Sequence, residues 1–413
     1  PIFMTLNMNS KRSLFFIFLT ILIDCLGLGI IVPTLPFLIQ ELSGQNTSMA
    51  ATYGGWLNFS YAVMSFIFAP VLGGLSDRYG RRPVLLTALF GLGVDYLFLS
   101  FAPNITWLFI GRIISGICGA SFTTASAYIA DVSDDSNRAK NFGLIGAAFG
   151  IGFIFGPFIG AIFGAMGTKV PFMAAAGLSL LNFIFGLFAL PESLKMENRR
   201  PFDIKRANPF GSLKQLGKHK SFLSLIFVLF LLSLAGQAMP SIWNFFCVEK
   251  FKWDQRWIGY SLTFVGIAVS IVQGGLIGVI TRKIGVKRSI FFGLAFYAIG
   301  FFLFAMANQP WMMFAFMIPY ALGGISGPNI QSTLTAQVKA SEQGELQGGI
   351  TGLGSFATIL GPLVMTSSFT YFTREPDKLY FPGIPFLIGG VLTLVSVVMS
   401  YYALKKMEIA PSK

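Results

Sequence analysis

The chain has 413 residues, of which 54% are hydrophobic and 11% charged, where a soluble domain carries about 25% charged. Mean hydropathy is +0.69, and apolar runs recur along the whole length, which leaves no separate soluble domain. The net charge of +13 is held in short loops between those runs, as orienting positive charge rather than a nucleic-acid surface; the three cysteines give no disulfide framework, and the single histidine, His219, gives no metal cluster.

The first apolar run, 14–39, is long enough to cross a bilayer and is too long for a signal-peptide core, so it is expected to be retained. It carries one ionisable residue, Asp24, about 15 Å along the helix and so near the midplane. A carboxylate at that depth is tolerated when it faces water, finds a partner or takes up a proton. Asp24 is therefore a candidate proton carrier. Gly27, Gly29, Pro33 and Pro36 follow it and suggest a closely packed helix that bends.

Twelve spans are expected, near 14–39, 52–75, 84–102, 105–130, 141–164, 171–190, 221–247, 258–280, 289–307, 311–336, 344–370 and 383–404. Alternate loops then hold 23 and 6 of the basic residues, with Arg112 inside a span, which predicts both termini in the cytoplasm. The polar stretch 191–220 reads as a cytoplasmic linker between an N-terminal six-helix bundle (14–190) and a C-terminal one (221–404). Gly80 and Gly285 follow the second and eighth spans, and Gly156-Pro157 and Gly361-Pro362 lie in the fifth and eleventh. Both pairs are offset by 205 positions, which suggests a duplication.

Residues 73–83 read GGLSDRYGRRP, a tight charged turn between two spans. Glycines let the helix ends approach, and Asp77 offsets the dipole of the next helix. The loop resembles the signature G-x-x-x-D-R-x-G-R-R of the major facilitator superfamily, carried here by Gly73, Asp77, Arg78, Gly80, Arg81 and Arg82. That resemblance implies a cytoplasmic latch in which Asp77 and Asp131 pair with Arg81. At the equivalent turn after span 8, Arg282 occupies the Asp position, so no latch role is carried there.

Asp95 in the third span and Arg112 in the fourth are the other two charges expected in the hydrocarbon. Two acids and one base leave one acid that can take up a proton. Residues 143–161, GLIGAAFGIGFIFGPFIGA, are similar to the superfamily's antiporter signature at Gly143, Gly152, Gly156, Pro157 and Gly160, with Ala161 in place of the last glycine; in the family that segment marks exporters. Polar residues at helical spacing outline a candidate substrate cavity: Asn58, Tyr61, Ser65 and Ser115 in the first half, and Gln237, Ser241, Trp243, Asn244, Gln273, Asn329 and Ser355 in the second.

Over nearly the whole chain the resemblance narrows to the tetracycline/proton antiporter group. It is carried by Asp24 with Pro33-Thr34-Leu35-Pro36, SDRYGRRPVLL (76–86), GRIISGICGAS (111–121), YIAD (128–131), Gly236-Gln237, Trp253-Asp254, Gly323–Ile325 with Gln331, and QGELQGG (343–349). It implies an all-α membrane protein of the major facilitator fold, with twelve transmembrane helices in two pseudo-symmetric six-helix bundles. Asp24, Asp95 and Arg112 stand at the family's intramembrane acid and arginine positions. Val269, Tyr297 and Ser65 replace its span-8 histidine, span-9 aspartate and span-2 glutamine, which argues against carrying tetracycline itself over as substrate. The expectation is a proton-coupled exporter of a small organic compound in a bacterial inner membrane, working by alternating access. Its partners would be that solute, protons and the lipid bilayer, with no nucleic acid, no cofactor beyond the proton gradient, no catalytic or metal site, and a monomeric chain. A proton-coupled importer, or a non-transporting receptor on the same fold, are the alternatives.

Overall fold

A computed structural model describes residues 2–119, 121–134, 137–202, 222–339, 342–374 and 379–409. His219 and most of the 191–220 linker lie outside them. The described residues form helices, and eleven are long and apolar enough to cross a membrane. Their outer faces carry exposed Phe153, Ile162, Leu181, Phe188 and Val398, side chains that suit lipid rather than water.

The expected span 10 is the twelfth crossing, built as two shorter helices, Pro310–Gly323 and Ser326–Thr335. They meet at Gly324-Ile325, so neither is long enough alone. The first span also differs from expectation. Helix α1 (Ile2–Ile31) stops, turns at Val32–Thr34 and restarts as α2 (Leu35–Ser43) with Pro36 in its first turn. Pro33 has no N–H to give and biases Val32 away from helix, so it ends α1 instead of bending it.

The remaining helices of the first half are α3 (Thr47–Tyr79), α4 (Arg81–Ser100), α5 (Ile105–Gly119), α6 (Ser121–Asp131), α7 (Arg138–Gly164) and α8 (Val170–Ala189). Those of the second are α9 (Leu223–Gly236), α10 (Ala238–Phe251), α11 (Gln255–Ile271), a π-turn at Val272–Leu276, α12 (Ile277–Ile284), α13 (Val286–Met306), α14 (Pro310–Gly323), α15 (Ser326–Thr335), α16 (Gln343–Thr373) and α17 (Ile384–Ile409). Gly80 (φ 105°, ψ 159°) and Gly285 (φ 82°, ψ 159°) hold the same left-handed conformation immediately before α4 and α13. Glycine adopts it without strain, so the offset read from the sequence has a backbone counterpart.

The described residues fall into two compact units. The first gathers Pro1–Gly44, Ser60–Pro209 and Asp254–Thr263. In it α1 lies along α7 and α8, and α4 along α8 and α5. The start of α11 seats on α7: Gly259 backs onto Pro157 and Ala161, and the Thr263 hydroxyl donates to the Ile154 carbonyl at 3.1 Å. The second unit gathers Gln45–Phe59, Phe210–Trp253 and Phe264–Lys413. Here α13 packs on α14 and α17, and α9 on α16 and α17. The start of α3 joins α16 through Ser48–Thr373 at 2.6 Å and Thr52–Thr370 at 2.8 Å. Leu225, Ile290, Ile330 and Leu346 form part of its buried core.

Candidate functional site

Helix α1 is held against α7 by a groove of small residues. A methyl group at Gly156 would lie 2.7 Å from the Cα of Gly29, one at Gly152 would strike Cys25, and one at Gly160 would strike the Ile30 carbonyl. Such contact lets backbones approach as no larger residue permits. Gly143 takes no part, for nothing lies within 4 Å of a methyl group built there. The groove fixes the stretch of α1 that carries Asp24.

Around Asp24 the first unit is rich in polar atoms that the protein leaves without hydrogen-bond partners. Among the described residues these include Asp24 Oδ1, Thr20 Oγ1, Tyr96 Oη, Ser179 Oγ and both carboxylate oxygens of Asp95. Tyr96 and Ser179 lie against Gly27, one turn along from Asp24. The Asn182 amide donates to the Thr20 carbonyl at 3.0 Å, tying α8 to α1. Sequence reasoning missed Tyr96, Ser179 and Asn182. Their signal was available: two polar residues one turn apart in an otherwise apolar sixth span, and a tyrosine beside Asp95.

Asp95 is buried and lies against Gly111, where a methyl group would meet its Oδ1 at 2.9 Å. Arg112, also buried, follows in the chain and is within electrostatic reach of Asp95, Tyr61 and Tyr96. It makes no direct ion pair with Asp24 or Asp95 within 4 Å among the described residues. Gly116 and Gly119 admit Tyr61 against α5, and the Ser115 hydroxyl donates to the Gly111 carbonyl at 2.7 Å. The charge of the base thus acts on Asp95 and not on Asp24.

At the charged turn, Arg81 is a hub. Its Nη1 reaches Asp77 Oδ1 at 2.5 Å and Ser76 Oγ at 2.6 Å, while its Nε donates to Asp131 Oδ2 at 3.0 Å. Its side chain is only 9% exposed, so these contacts are shielded from water. Ser193 adds a bond to Asp131 at 3.0 Å. Glu192 was not foreseen. Its carboxylate accepts the backbone N–H of Arg81 at 2.8 Å and of Arg82 at 3.3 Å, capping the positive end of α4. It fits because Gly80 has no side chain: a methyl group there would collide with it. Arg78 stacks on Tyr79, Arg82 donates to the Leu187 carbonyl, and the Gly73 carbonyl accepts the Ser76 hydroxyl. A cleft of about 540 Å³ opens beside the hub, lined by Asp77, Arg81, Asp131, Glu197 and Arg200 among others.

In the second unit a cavity of about 510 Å³ is lined by Gln237, Gln273 and Tyr297 together with residues of the α14–α15 break. Other expected cavity residues lie outside it. Trp243 is 1% exposed and packs edge-on against Phe304 and Phe386 in the aromatic core. Asn329 is buried and pinned to the Ile325 carbonyl and to Thr281. Ser355 donates to Thr351 along its own helix. Ser241 is buried and Asn244 half-buried on α10, beyond the lining. Asn58 and Ser65 are half-buried on α3. No group of three or more potential metal ligands is found among the described residues.

Apolar spans that enclose intramembrane charges and polar cavities, with a charged loop fastening their ends, define a secondary active transporter. The model of the Major Facilitator Superfamily matches residues 17–362 and 274–413, and the chain belongs to that superfamily, one of transporters rather than enzymes. It is 39% identical to the class C tetracycline resistance protein of Escherichia coli over 94% of this chain and 96% of that one. It is 35% identical to the class B protein of the same species, over 83% and 85%. Among solved structures, a bacterial homolog of the human lysosomal transporter Spinster matches with a TM-score of 0.74 at 13% identity, over 98% of this chain and 99% of that one. The nucleoside transporter NupG matches with a TM-score of 0.73 at 15% identity, over 96% and 100%. The protein is a multi-pass integral membrane protein and a proton-coupled exporter of a small organic compound.

Proposed function

We propose that Asp24 is the acid whose protonation drives export. The observation that carries this is the division of charge in the first unit: Asp24 and Asp95 both bury carboxylate oxygens that no protein group satisfies, and the charge of Arg112 acts on Asp95 but not on Asp24. An acid so placed changes charge state more readily than one held by a base. Asp95 and Arg112 support that site. Asp77, Arg81 and Asp131, reinforced by Glu192, form the cytoplasmic latch, and the 14–190 and 221–404 halves rock about the 191–220 linker. The Arg-rich loops face the cytoplasm of a bacterial inner membrane, and the chain works as a monomer on the proton gradient alone. A proton taken from outside releases solute there, and its loss inside restores binding.

Tetracycline is the first solute to test, because the curated relatives carry its name. Val269, Tyr297 and Ser65 lead us to expect weaker handling of it than of other compounds. Purified protein is screened for solutes that raise its unfolding temperature, tetracycline among them, and a solute that does so is loaded into proteoliposomes. Asp24→Asn is expected to keep solute exchange and to lose accumulation driven by a pH gradient. Undiminished pH-driven accumulation by this variant would remove Asp24 from the mechanism.

A further inference from the structure

Three irregularities of the helical backbone in the second unit line one cavity. Span 7 breaks at Gln237 after Gly236, span 8 widens into the π-turn Val272–Leu276 that carries Gln273, and span 10 breaks at Gly324-Ile325, just past Gly323. Inside a membrane, backbone leaves the regular helix where it is buried in protein or lines a polar cavity, and π-turns recur at functional positions. These three meet around Tyr297, whose ring fills the space that a side chain at Gly323 would need and whose hydroxyl lies near Gly236. Tyr320 flanks it, ring centroids 5.1 Å apart.

The chemistry of the lining is specific. It contains no Asp, Glu, Lys, Arg or His. Ser233, Ser326 and Thr358 spend their hydroxyl protons on the Leu229, Gly323 and Gly354 carbonyls, leaving lone pairs toward the space. The side-chain amides of Gln237 and Gln273 enter no hydrogen bond among the described residues, and each offers both donors and an acceptor to the space they line. A charged solute entering here would shed water and gain no counter-charge, whereas an uncharged group with its own donors and acceptors is matched.

We propose that this cavity receives an uncharged, hydrogen-bonding part of the exported solute, and that Tyr297 sets that preference by filling the wall with a neutral side chain. The proposal rests on the exporter reading above and names the solute class for it.

The test reads the cavity without a known solute. Cys25, Cys118 and Cys247 are replaced by serine in the full-length chain, and Gln237→Cys is added as a reporter. Its modification by a neutral methyl methanethiosulfonate is compared with that by the trimethylammonium-ethyl and sulfonato-ethyl reagents, each rate divided by that for free thiol. The neutral reagent is expected to be favoured by about tenfold or more over both charged ones. Adding Tyr297→Asp should raise the relative rate of the cationic reagent by about tenfold, and Gln273→Glu, on the exposed π-turn, should do the same should the first variant not fold. Equal normalised rates for the three reagents, no reaction with the neutral one, or no response of the cation to a new acid in a folded variant overturns the proposal. These readouts do not depend on proton coupling, so their failure leaves the Asp24 assignment standing, and a failure of that assignment leaves the labelling pattern intact.

Discussion

Gly156→Ala tests whether α1 and α7 are as close as described. The added methyl would stand 2.7 Å from the Cα of Gly29, where carbon atoms settle at about 3.5–4.0 Å. The helices must part by about 1 Å to admit it, and overpacking of this order costs about 1–3 kcal/mol. Alanine also favours the helix over glycine by about 1 kcal/mol, which would mask part of the loss. Gly143→Ala removes that ambiguity. It lies in the same helix with nothing within 4 Å of the new methyl, so it carries the propensity gain alone. The difference between the two variants is then the clash itself. For 413 residues the entropy of unfolding is about 0.9 kcal/mol/K, which turns the clash into a midpoint about 1–3 °C lower for Gly156→Ala than for Gly143→Ala. Thermal unfolding of both purified variants in the same detergent measures it. Transport should fall further in Gly156→Ala than stability does, because Asp24 lies little more than a turn from Gly29 and moves with it. Identical midpoints and identical transport in the two variants would refute the close contact and, with it, the account of how Asp24 is positioned.

Two further changes address the latch. Arg81→Lys keeps the charge but cannot reach Asp131 with one nitrogen while holding Ser76 and Asp77 with another. A charge-assisted bond of this kind contributes about 1.5–3 kcal/mol, so export by inverted vesicles should drop about tenfold or more, and adding Asp131→Asn should cost little beyond that. Wild-type export by Arg81→Lys would show that the fork does not matter. Glu192→Ala removes the acceptor at the start of α4, a cap of about 0.5–2 kcal/mol. Amide hydrogen exchange at Arg81 and Arg82 should accelerate severalfold while exchange in the middle of α4 stays unchanged, and equal protection in the two proteins would count against the cap.

What could be read from the sequence is what depends on composition and short spacing. Asp77 and Arg81 were legible because a fixed pattern of glycines and charges sets them on one turn, and Asp131, 50 residues further on, was legible only through the family resemblance; the structure joins the three. Glu192 was not, because its role depends on the fold of the chain after α8 bringing it back over Gly80. Of the antiporter pattern, Gly152, Gly156 and Gly160 form the groove, while Gly143 matched in letter and packs on nothing; spacing cannot say which glycines face a neighbour. Polar stripes in the second half do not separate lining from core for a related reason. Trp243 and Asn329 sit at helical spacing with residues that line the cavity of about 510 Å³, yet one is packed into aromatic core and the other is held by Thr281 and a backbone carbonyl. The lining shared a different mark, a glycine at or beside each backbone irregularity: Gly236-Gln237, Gln273-Gly274-Gly275 and Gly323-Gly324. Glycine weakens a helix, so within these apolar spans such pairs mark the cavity better than serine and threonine do, since those hydroxyls turn back onto their own helix.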